Sequence, residues 1–226
     1  MSENMTNLEK LIRSKFYFFK GTKHNCEEFF NELNEIQKGI VGETSGYIKL
    51  ENSKEPVWYD SLYELKVLKD LDKCSFVQEI KTQSLVIPYK ERRIFYPDIQ
   101  LLLKDGSLII IEVKPFKEMV NKRNLWKRKA LRKYCKENGF ACAIIDHDYY
   151  SFDKDLVNEN VTEELQMKFI KFVGEKGKVT FNDSDYKTFK KDNNINDYQV
   201  CYIIWKNKSH LKYQQHTIIY KQWKTK

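Results

Sequence analysis

The sequence predicts an α/β fold in which helices flank a mixed central sheet, followed by a small and mostly helical carboxy-terminal domain. Two observations predict this fold. From residue 61 onward, the hydrophobic pattern gives a helix, three strands, a second helix and a further strand in succession. After residue 146 the chain becomes polar and aromatic, and then shows short helical patterns that end in a hairpin-like segment.

The first half of the α/β region is expected to be a helix and three strands. Ser61 is a good helix cap, and leucines recur at helical spacing after it. The first strand is predicted most clearly at residues 82–87, where β-branched residues gather, and the second at about 94–103. The turn signal KDGS then predicts a hairpin into a third strand at 108–113, which Pro115 ends.

The second half adds a basic helix at about residues 121–137 and the short apolar strand FACAIID. The two or three short helices and the terminal hairpin that follow favour a winged-helix-like domain. We therefore expect three parts. They are a helical or irregular extension at 1–56 packed on the core, the core itself at 57–146, and a DNA- or partner-binding domain at 147–226.

Length and composition disfavour several classes of protein. The 226 residues contain no apolar run of the roughly 18 residues that a membrane helix needs. The first residues also lack the apolar block of a secretory signal, so we expect a cytoplasmic protein. The five cysteines lie far apart and are odd in number, which disfavours a disulfide scaffold and structural zinc.

The positive charge of the chain is concentrated in one segment. The whole chain carries a net charge of +8, while residues 114–136 contain ten Lys or Arg and one acid. The rest of the chain is therefore close to neutral. Such runs are usually solvated helix faces, but this density exceeds what solubility requires and favours an anionic partner.

An acid and a base interrupt the most apolar strand. Residues 108–113 are apolar on both alternating faces, which is typical of a central strand, and yet the strand carries Glu112. A buried carboxylate needs an ionic partner or a metal, and Lys114 lies on the same face two residues later. The simplest interpretation is a salt bridge between Glu112 and Lys114, with Asp98 an ordinary polar residue after Pro97.

A metal becomes the better interpretation if Asp98 shares that face. Two carboxylates about 4 Å apart repel by roughly 4 kcal/mol at an effective dielectric constant of about 20, so they stay ionised mainly around a cation. Oxygen ligands suit Mg²⁺, for which Mn²⁺ can substitute. Glu112 and Asp98 are the candidate ligands.

The hairpin decides whether the two acids share a face. An even turn centred on Asp105 and Gly106 places Asp98 opposite Val113, away from Glu112. A three-residue turn with Gly106 in the left-handed region places Asp98 opposite Glu112 or Lys114 instead. We predict the odd turn or a bulge, and an even turn would exclude the shared metal.

These residues carry a family resemblance. Tyr96-Pro97-Asp98, thirteen further residues and Glu112-Val113-Lys114 resemble the PD-(D/E)XK nuclease motif. The chain is more closely similar to TnsA, the endonuclease subunit of heteromeric transposases. This similarity extends over about residues 57–146, from the helix after VWYDS through EVKP to the basic helix NKRNLWKRKALRKYCKENG.

The resemblance implies a restriction-endonuclease-like core and an Mg²⁺-dependent endodeoxyribonuclease that cleaves DNA strands at transposon ends. It implies double-stranded DNA, a DDE-type transposase subunit and an ATPase regulator as partners. One alternative is a restriction or defence nuclease of the same fold that acts without a transposase. Another is a non-catalytic DNA-binding assembly module, which the intact Asp, Glu and Lys set disfavours.

The resemblance also implies site residues. Asp98 and Glu112 would hold the metal, with Glu64 reaching it directly or through water, and Lys114 would orient the attacking water or stabilise charge on the phosphate. Glu64 has a competing role, since Ser61-x-x-Glu64 is also a capping box. Gln83 would be an accessory residue, unless it is a surface amide.

The basic helix supplies the candidates for DNA binding. Lys127, Arg128 and Arg132 would contact phosphates and position the duplex without reading its sequence. Each neutralised phosphate adds about −0.9 to the log–log salt slope of binding.

Overall fold

The computed structural model describes residues 5–34 and 41–221, and they fall into two compact units. Unit 1 runs to Pro115 and includes Trp126–Asp153, while unit 2 contains Phe116–Leu125 and the chain from Lys154 onward. None of the helices in these described residues is both long and apolar enough to cross a membrane.

Unit 1 is a mixed α/β structure. Its helices are α1 (Asn7–Ser14), α2 (Glu27–Glu32), α3 (Leu62–Asp72) and α4 (Lys122–Asn138), the last from Trp126 onward. Its strands are β1 (Gly46–Ile48), β2 (Val57–Tyr59), β3 (Val77–Thr82), β4 (Ile87–Tyr89), β5 (Arg93–Phe95), β6 (Ile99–Leu103), β7 (Leu108–Val113) and β8 (Ala141–Ile145).

The central sheet has four strands in the order β3-β6-β7-β8. β3, β6 and β7 are antiparallel neighbours, whereas β8 runs parallel to β7 after the crossover through α4. β1 with β2 and β4 with β5 form two separate two-stranded sheets. The expected α/β fold, with a mixed central sheet flanked by helices, is confirmed.

The two faces of β7 have different surroundings. Ile109, Ile111 and Val113 belong to one apolar cluster with Val67 and Leu71 of α3. Because side chains alternate along a strand, Glu112 lies on the opposite face. All six residues of β7 are buried, as its apolar character on both faces predicts.

Two strand predictions need correction. The strand expected at 82–87 lies at Val77–Thr82, because Gln83 has a φ of +47° and turns the backbone out of the strand. The strand expected at 94–103 is split, since Pro97 cannot donate a ladder hydrogen bond. Its first part, β5, pairs with β4, and only β6 joins the central sheet.

Unit 2 combines three helices with a small sheet. The helices are α5 (Glu163–Lys176), α6 (Ser184–Asp192) and α7 (Asp197–Lys206), and the strands are β9 (Lys178–Thr180), β10 (Leu211–Gln214) and β11 (Thr217–Tyr220). The sheet is antiparallel in the order β10-β11-β9. The short helices and the terminal hairpin expected from the sequence are therefore present.

Candidate active site

The β6–β7 turn sets the geometry of the site. The strands pair Ile99 with Ile111 and end at a three-residue turn, in which Gly106 has a φ of +77°. Continuing this register places Asp98 opposite Glu112. The predicted odd turn is therefore confirmed, and the two acids share a face of the sheet.

Asp98 is buried at the entrance to β6. Its Oδ2 accepts hydrogen bonds from the backbone N–H of Val113, at 2.6 Å, and from Nζ of Lys114, at 3.1 Å. Burial raises the pKa of Asp98 well above its ordinary value, and the nearby charge of Glu112 raises it further. Lys114 opposes this shift only in part.

Lys114 joins the two acids. Its Nζ lies 3.2 Å from Oε1 of Glu112 and also donates to the carbonyl of Val113 at 2.8 Å, so three oxygens, including Oδ2 of Asp98, surround the ammonium group. Burial alone would lower the pKa of Lys114. The charges of Asp98, Glu112 and Glu64 outweigh burial and raise that pKa, so the side chain is held as an ammonium.

Glu112 has one oxygen with two cations and one with none. Nζ of Lys127, on α4, also lies 3.2 Å from Oε1. Oε2 is buried and has no hydrogen-bond partner among the described residues. An unpartnered buried carboxylate oxygen is costly, and it marks a position where a further donor or a cation would be stabilised.

Glu64 makes capping contacts at the start of α3 and also lies near the two acids. Ser61 caps α3, and Glu64 bonds back to the Ser61 hydroxyl at 2.9 Å and to the backbone N–H of Asp60 at 2.8 Å. It is also buried, which raises its pKa, and its charge acts on Asp98 and Lys114. We call Glu64, Asp98, Glu112, Lys114 and Lys127 the acid cluster.

Gln83 is buried beside this cluster, so the alternative of a surface amide is wrong. Its Nε2 donates to Oδ2 of Asp60 at 2.7 Å, and its backbone N–H donates to the carbonyl of Asp98 at 3.2 Å. Asp60 also accepts from the indole N–H of Trp58 at 2.6 Å. Asp60 could not be singled out from the sequence, apart from its position next to the helix cap Ser61.

Arg128 and Arg132 occupy a second cluster of charge. Both guanidinium groups donate to Oδ1 of Asp153, that of Arg132 at 2.7 Å. Arg128 also stacks on Phe152, and Arg132 stacks on Tyr17, at 4.2 and 4.1 Å from the ring centroids. We call Arg128, Arg132 and Asp153 the arginine cluster. Sequence reasoning missed Asp153, which lies in a polar stretch without a motif.

The acid cluster fits a small divalent cation in its chemistry. Asp98 and Glu112 offer carboxylate oxygens, which Mg²⁺ and Mn²⁺ prefer, and Oε2 of Glu112 lacks a partner among the residues described. Within residues 5–34 and 41–221, no three His, Cys, Asp or Glu side chains are grouped closely enough to hold a metal by themselves. Two protein ligands with water and substrate oxygens are common for Mg²⁺.

The segment that contains most of this site is similar to a known family of endonucleases. Residues 74–147 match the family model described as TnsA-like endonuclease N terminal. The resemblance inferred from the sequence is confirmed over this third of the chain. No curated protein matches.

The match and the site overlap in most residues. The TnsA-like segment contains Gln83, Asp98, Glu112 and Lys114 together with the sequence-predicted DNA-binding residues of α4. Glu64 lies before the segment, although the sequence similarity was expected to begin at about residue 57. The comparison therefore indicates an endonuclease of the transposition type.

Proposed function

We propose that this protein is a metal-dependent DNA endonuclease that cleaves strands at transposon ends as the TnsA-like subunit of a heteromeric transposase. One observation carries the proposal. Asp98 and Glu112 converge on the ammonium group of Lys114, inside the segment that matches TnsA-like endonucleases. A DDE-type transposase subunit and an ATPase regulator would be its partners.

Asp98 and Glu112 would hold Mg²⁺, and Mn²⁺ would substitute for it. When bound, the ion would polarise the scissile phosphate and lower the pKa of a water molecule. Glu64 is near enough to change the electrostatics of both Asp98 and Lys114, so it would act as an outer acid of the site.

Lys114 would act as a cation and not as a proton acceptor. Its neighbours hold it in the protonated form, so it has no free lone pair with which to take a proton from water. An ammonium beside the scissile phosphate would stabilise the negative charge that develops on the phosphoryl oxygens. Lys127 would supply a second positive charge on the same side of Glu112.

DNA would bind along α4. Lys127 is the sequence-predicted contact that lies nearest to the acids, whereas Arg128 and Arg132 are engaged with Asp153 and would position the helix more than the DNA. The exposed side chains of Lys129 and Lys133 on the same helix would contact phosphates.

Unit 2 would be a winged-helix-like domain that binds DNA or a partner protein. Support comes from its order of elements, in which one helix and a strand precede two helices and a hairpin. The first strand, β9, pairs with the last, β11, as a winged helix requires.

Plasmid nicking tests the proposal directly. We expect the full-length protein to nick supercoiled DNA with Mg²⁺ or Mn²⁺, alone or with its transposase, and not in EDTA. Asp98→Ala and Lys114→Ala should lower the rate by about a hundredfold or more, as expected for losing one charged group that acts on the transition state.

Exposed residues provide the matched controls. Glu51→Ala and Lys10→Ala remove the same types of charge from the surface of unit 1 and should leave nicking unchanged. Equal nicking by the wild type, Asp98→Ala and Lys114→Ala would exclude this active site. Nicking by the protein alone that a transposase leaves unchanged in rate and position would favour a defence nuclease instead.

A further inference from the structure

A groove of about 570 Å³ lies between the β4–β5 hairpin and α4 in unit 1. Its walls are Ile87, Pro88 and Tyr89 of β4, and Trp126, Ala130 and Tyr134 of α4. Because the three α4 residues are four positions apart, they form one continuous stripe along the helix. The groove is large enough for one nucleotide, since small-molecule sites usually measure about 300–1,000 Å³.

Positive charge surrounds the mouth of this groove. Lys90, Lys129 and Lys133 line it and are exposed; Lys90 pairs with Glu91 and Lys133 with Glu137, the one acidic lining residue, through ion pairs at the surface. An apolar, aromatic floor with a lysine rim complements a group that has a flat apolar face and an attached phosphate. A nucleotide has both.

The indole of Trp126 offers such a floor. Nζ of Lys90 lies 4.1 Å from the centroid of its ring, so the side chain of Lys90 lies over one face of the indole. Lys90 sits in a turn where three successive residues other than glycine, Lys90, Glu91 and Arg92, have positive φ angles. Backbone strain of this kind is retained where a turn must hold a particular geometry.

The groove adjoins the acid cluster. Lys127 follows Trp126 directly, and its ammonium lies 3.2 Å from Glu112 and 4.9 Å from the ring centroid of Phe95 in β5. The two strands of the β4–β5 hairpin therefore border different features, since β4 lines the groove and β5 contacts Lys127 of the acid cluster. A strand of DNA that reaches Glu112 would pass beside Trp126.

We propose that this groove binds an unpaired nucleotide of the DNA strand next to the cleavage site, with its base stacked on Trp126. In a duplex, both faces of each base are covered by their neighbours, so only an unpaired or extruded base can stack on an indole. The lysines of the rim would contact the adjoining phosphates. This inference rests on the proposed function, because it assigns a further part of the same DNA path.

Binding to single-stranded DNA in EDTA tests the groove separately from cleavage. Fluorescence anisotropy of a labelled oligothymidylate of about ten nucleotides, within the range for single-strand binding sites, is compared with that of a blunt duplex of equal length. Trp126→Leu should weaken single-strand binding about tenfold, the loss expected from one base stack. Duplex binding should change less than about twofold, and Trp126→Phe should keep most of the affinity because it keeps a stacking face.

Charge variants provide a second, independent arm. Lys90→Ala should make the log–log salt slope of single-strand binding less steep by about 0.7, the value for one phosphate contact. Lys136→Ala, on the same helix but outside the groove lining, is the matched control and should leave the slope unchanged. Circular dichroism shows whether Trp126→Leu is folded. If it is not, the salt slope of Lys90→Ala and the quenching of a 2-aminopurine base by the wild type test whether a base binds in the groove.

Three outcomes would overturn the groove assignment. They are equal losses for single strand and duplex, equal losses for Trp126→Leu and Trp126→Phe, and full competition by free thymidine monophosphate, which would make the groove a site for free nucleotides. None of these outcomes requires cleavage. If the wild-type protein binds single-stranded DNA as expected but does not nick plasmid DNA, the result would instead count against the proposed endonuclease.

Discussion

The acid cluster and the arginine cluster are both buried groups of charge in unit 1, but their charges are unbalanced in opposite directions. The acid cluster has three carboxylates and two ammonium groups, whereas the arginine cluster has two guanidinium groups and one carboxylate. Lys127 and Arg128 are adjacent in sequence, and yet each belongs to a different cluster. One helix thus serves two kinds of site.

The excess charge is accommodated differently in the two clusters. Phe152, Tyr17 and Phe19 lie against the guanidinium groups, and aromatic faces stabilise cations. In the arginine cluster, the atoms without a hydrogen-bond partner among the described residues are Nε of Arg128 and Oδ2 of Asp153, a donor and an acceptor on side chains that are already paired. The unbonded Oε2 of Glu112 instead adds to an excess of negative charge. The arginine cluster is complete by itself, and the acid cluster would be completed by a cation.

Removing Asp153 should have the largest effect on stability. Asp153→Ala leaves two partly buried guanidinium groups without their carboxylate, and breaking a buried ion pair in this way typically costs about 3–5 kcal/mol. Urea denaturation measures the loss. Asp148→Ala, which removes an exposed aspartate with ion pairs at the surface, should cost less than about 1 kcal/mol. Equal effects would mean that the arginine cluster does not stabilise the fold.

The turn at Gly106 should affect the acid cluster selectively. A Cβ at this position would lie 1.8 Å from the carbonyl oxygen of His24, in a left-handed conformation. Gly106→Ala should therefore lower the free energy of unfolding by about 3 kcal/mol, from the combined costs of overpacking and conformation. Gly21→Ala is the matched control, because Gly21 has a φ of +86° but nothing within 4 Å. It should cost about 1–2 kcal/mol.

Nicking by the two glycine variants sharpens this prediction. Gly106 sets the register that brings Asp98 opposite Glu112, so Gly106→Ala should also lower the nicking rate at a temperature where it is fully folded. Gly21→Ala should not. Unchanged nicking by folded Gly106→Ala would mean that the register does not depend on this turn.

The sequence predicts the acid cluster better than the arginine cluster, because the two depend on different kinds of contact. The hairpin register followed from local rules, because turn length, the glycine and side-chain alternation together determine which residues face each other. The convergence of Asp98, Glu112 and Lys114 was therefore predictable. The position of β3 was not, since the backbone reversal at Gln83 has no glycine or proline to mark it.

The orientation of the basic residues on α4 was also beyond sequence reasoning. Arginine and lysine recur around the whole helix, so no periodic pattern separates buried from exposed positions. What holds Arg128 and Arg132 inward is Asp153, more than twenty residues away in sequence. Long side chains bury their stems readily, which makes a basic residue a weak indicator of an exposed surface.

Magnesium should stabilise the protein through the acid cluster. At a concentration one hundred times the dissociation constant, a ligand of the native state adds about 2.7 kcal/mol to the free energy of unfolding. We expect the melting temperature of the wild type to rise with MgCl₂, and that of Glu112→Gln to stay constant. Arg132→Lys, which alters the arginine cluster, should keep the full rise. A rise in Glu112→Gln equal to that of the wild type would place the magnesium elsewhere.

Neutralising Asp98 should change the free energy of unfolding least of these substitutions, and the change should be a gain in stability. Burial and the charge of Glu112 raise the pKa of Asp98 in the folded state above the value of about 3.9 in an unfolded chain. Between these two pKa values the native state binds more protons than the unfolded state, so stability falls as the pH rises through this window. Asp98→Asn cannot ionise and avoids that loss.

In EDTA at pH 8, Asp98→Asn should therefore be more stable than the wild type, by about 1 kcal/mol, as is common when a functional charge is removed. The gain should disappear as the pH falls towards 4, because Asp98 in the wild type then becomes neutral. Urea denaturation across this pH range measures both. A variant that is less stable than the wild type at every pH would mean that the ion pair with Lys114 outweighs the repulsion from Glu112. The acid cluster would then be a stabilising element of the same kind as the arginine cluster, and the argument that it needs a cation would fail.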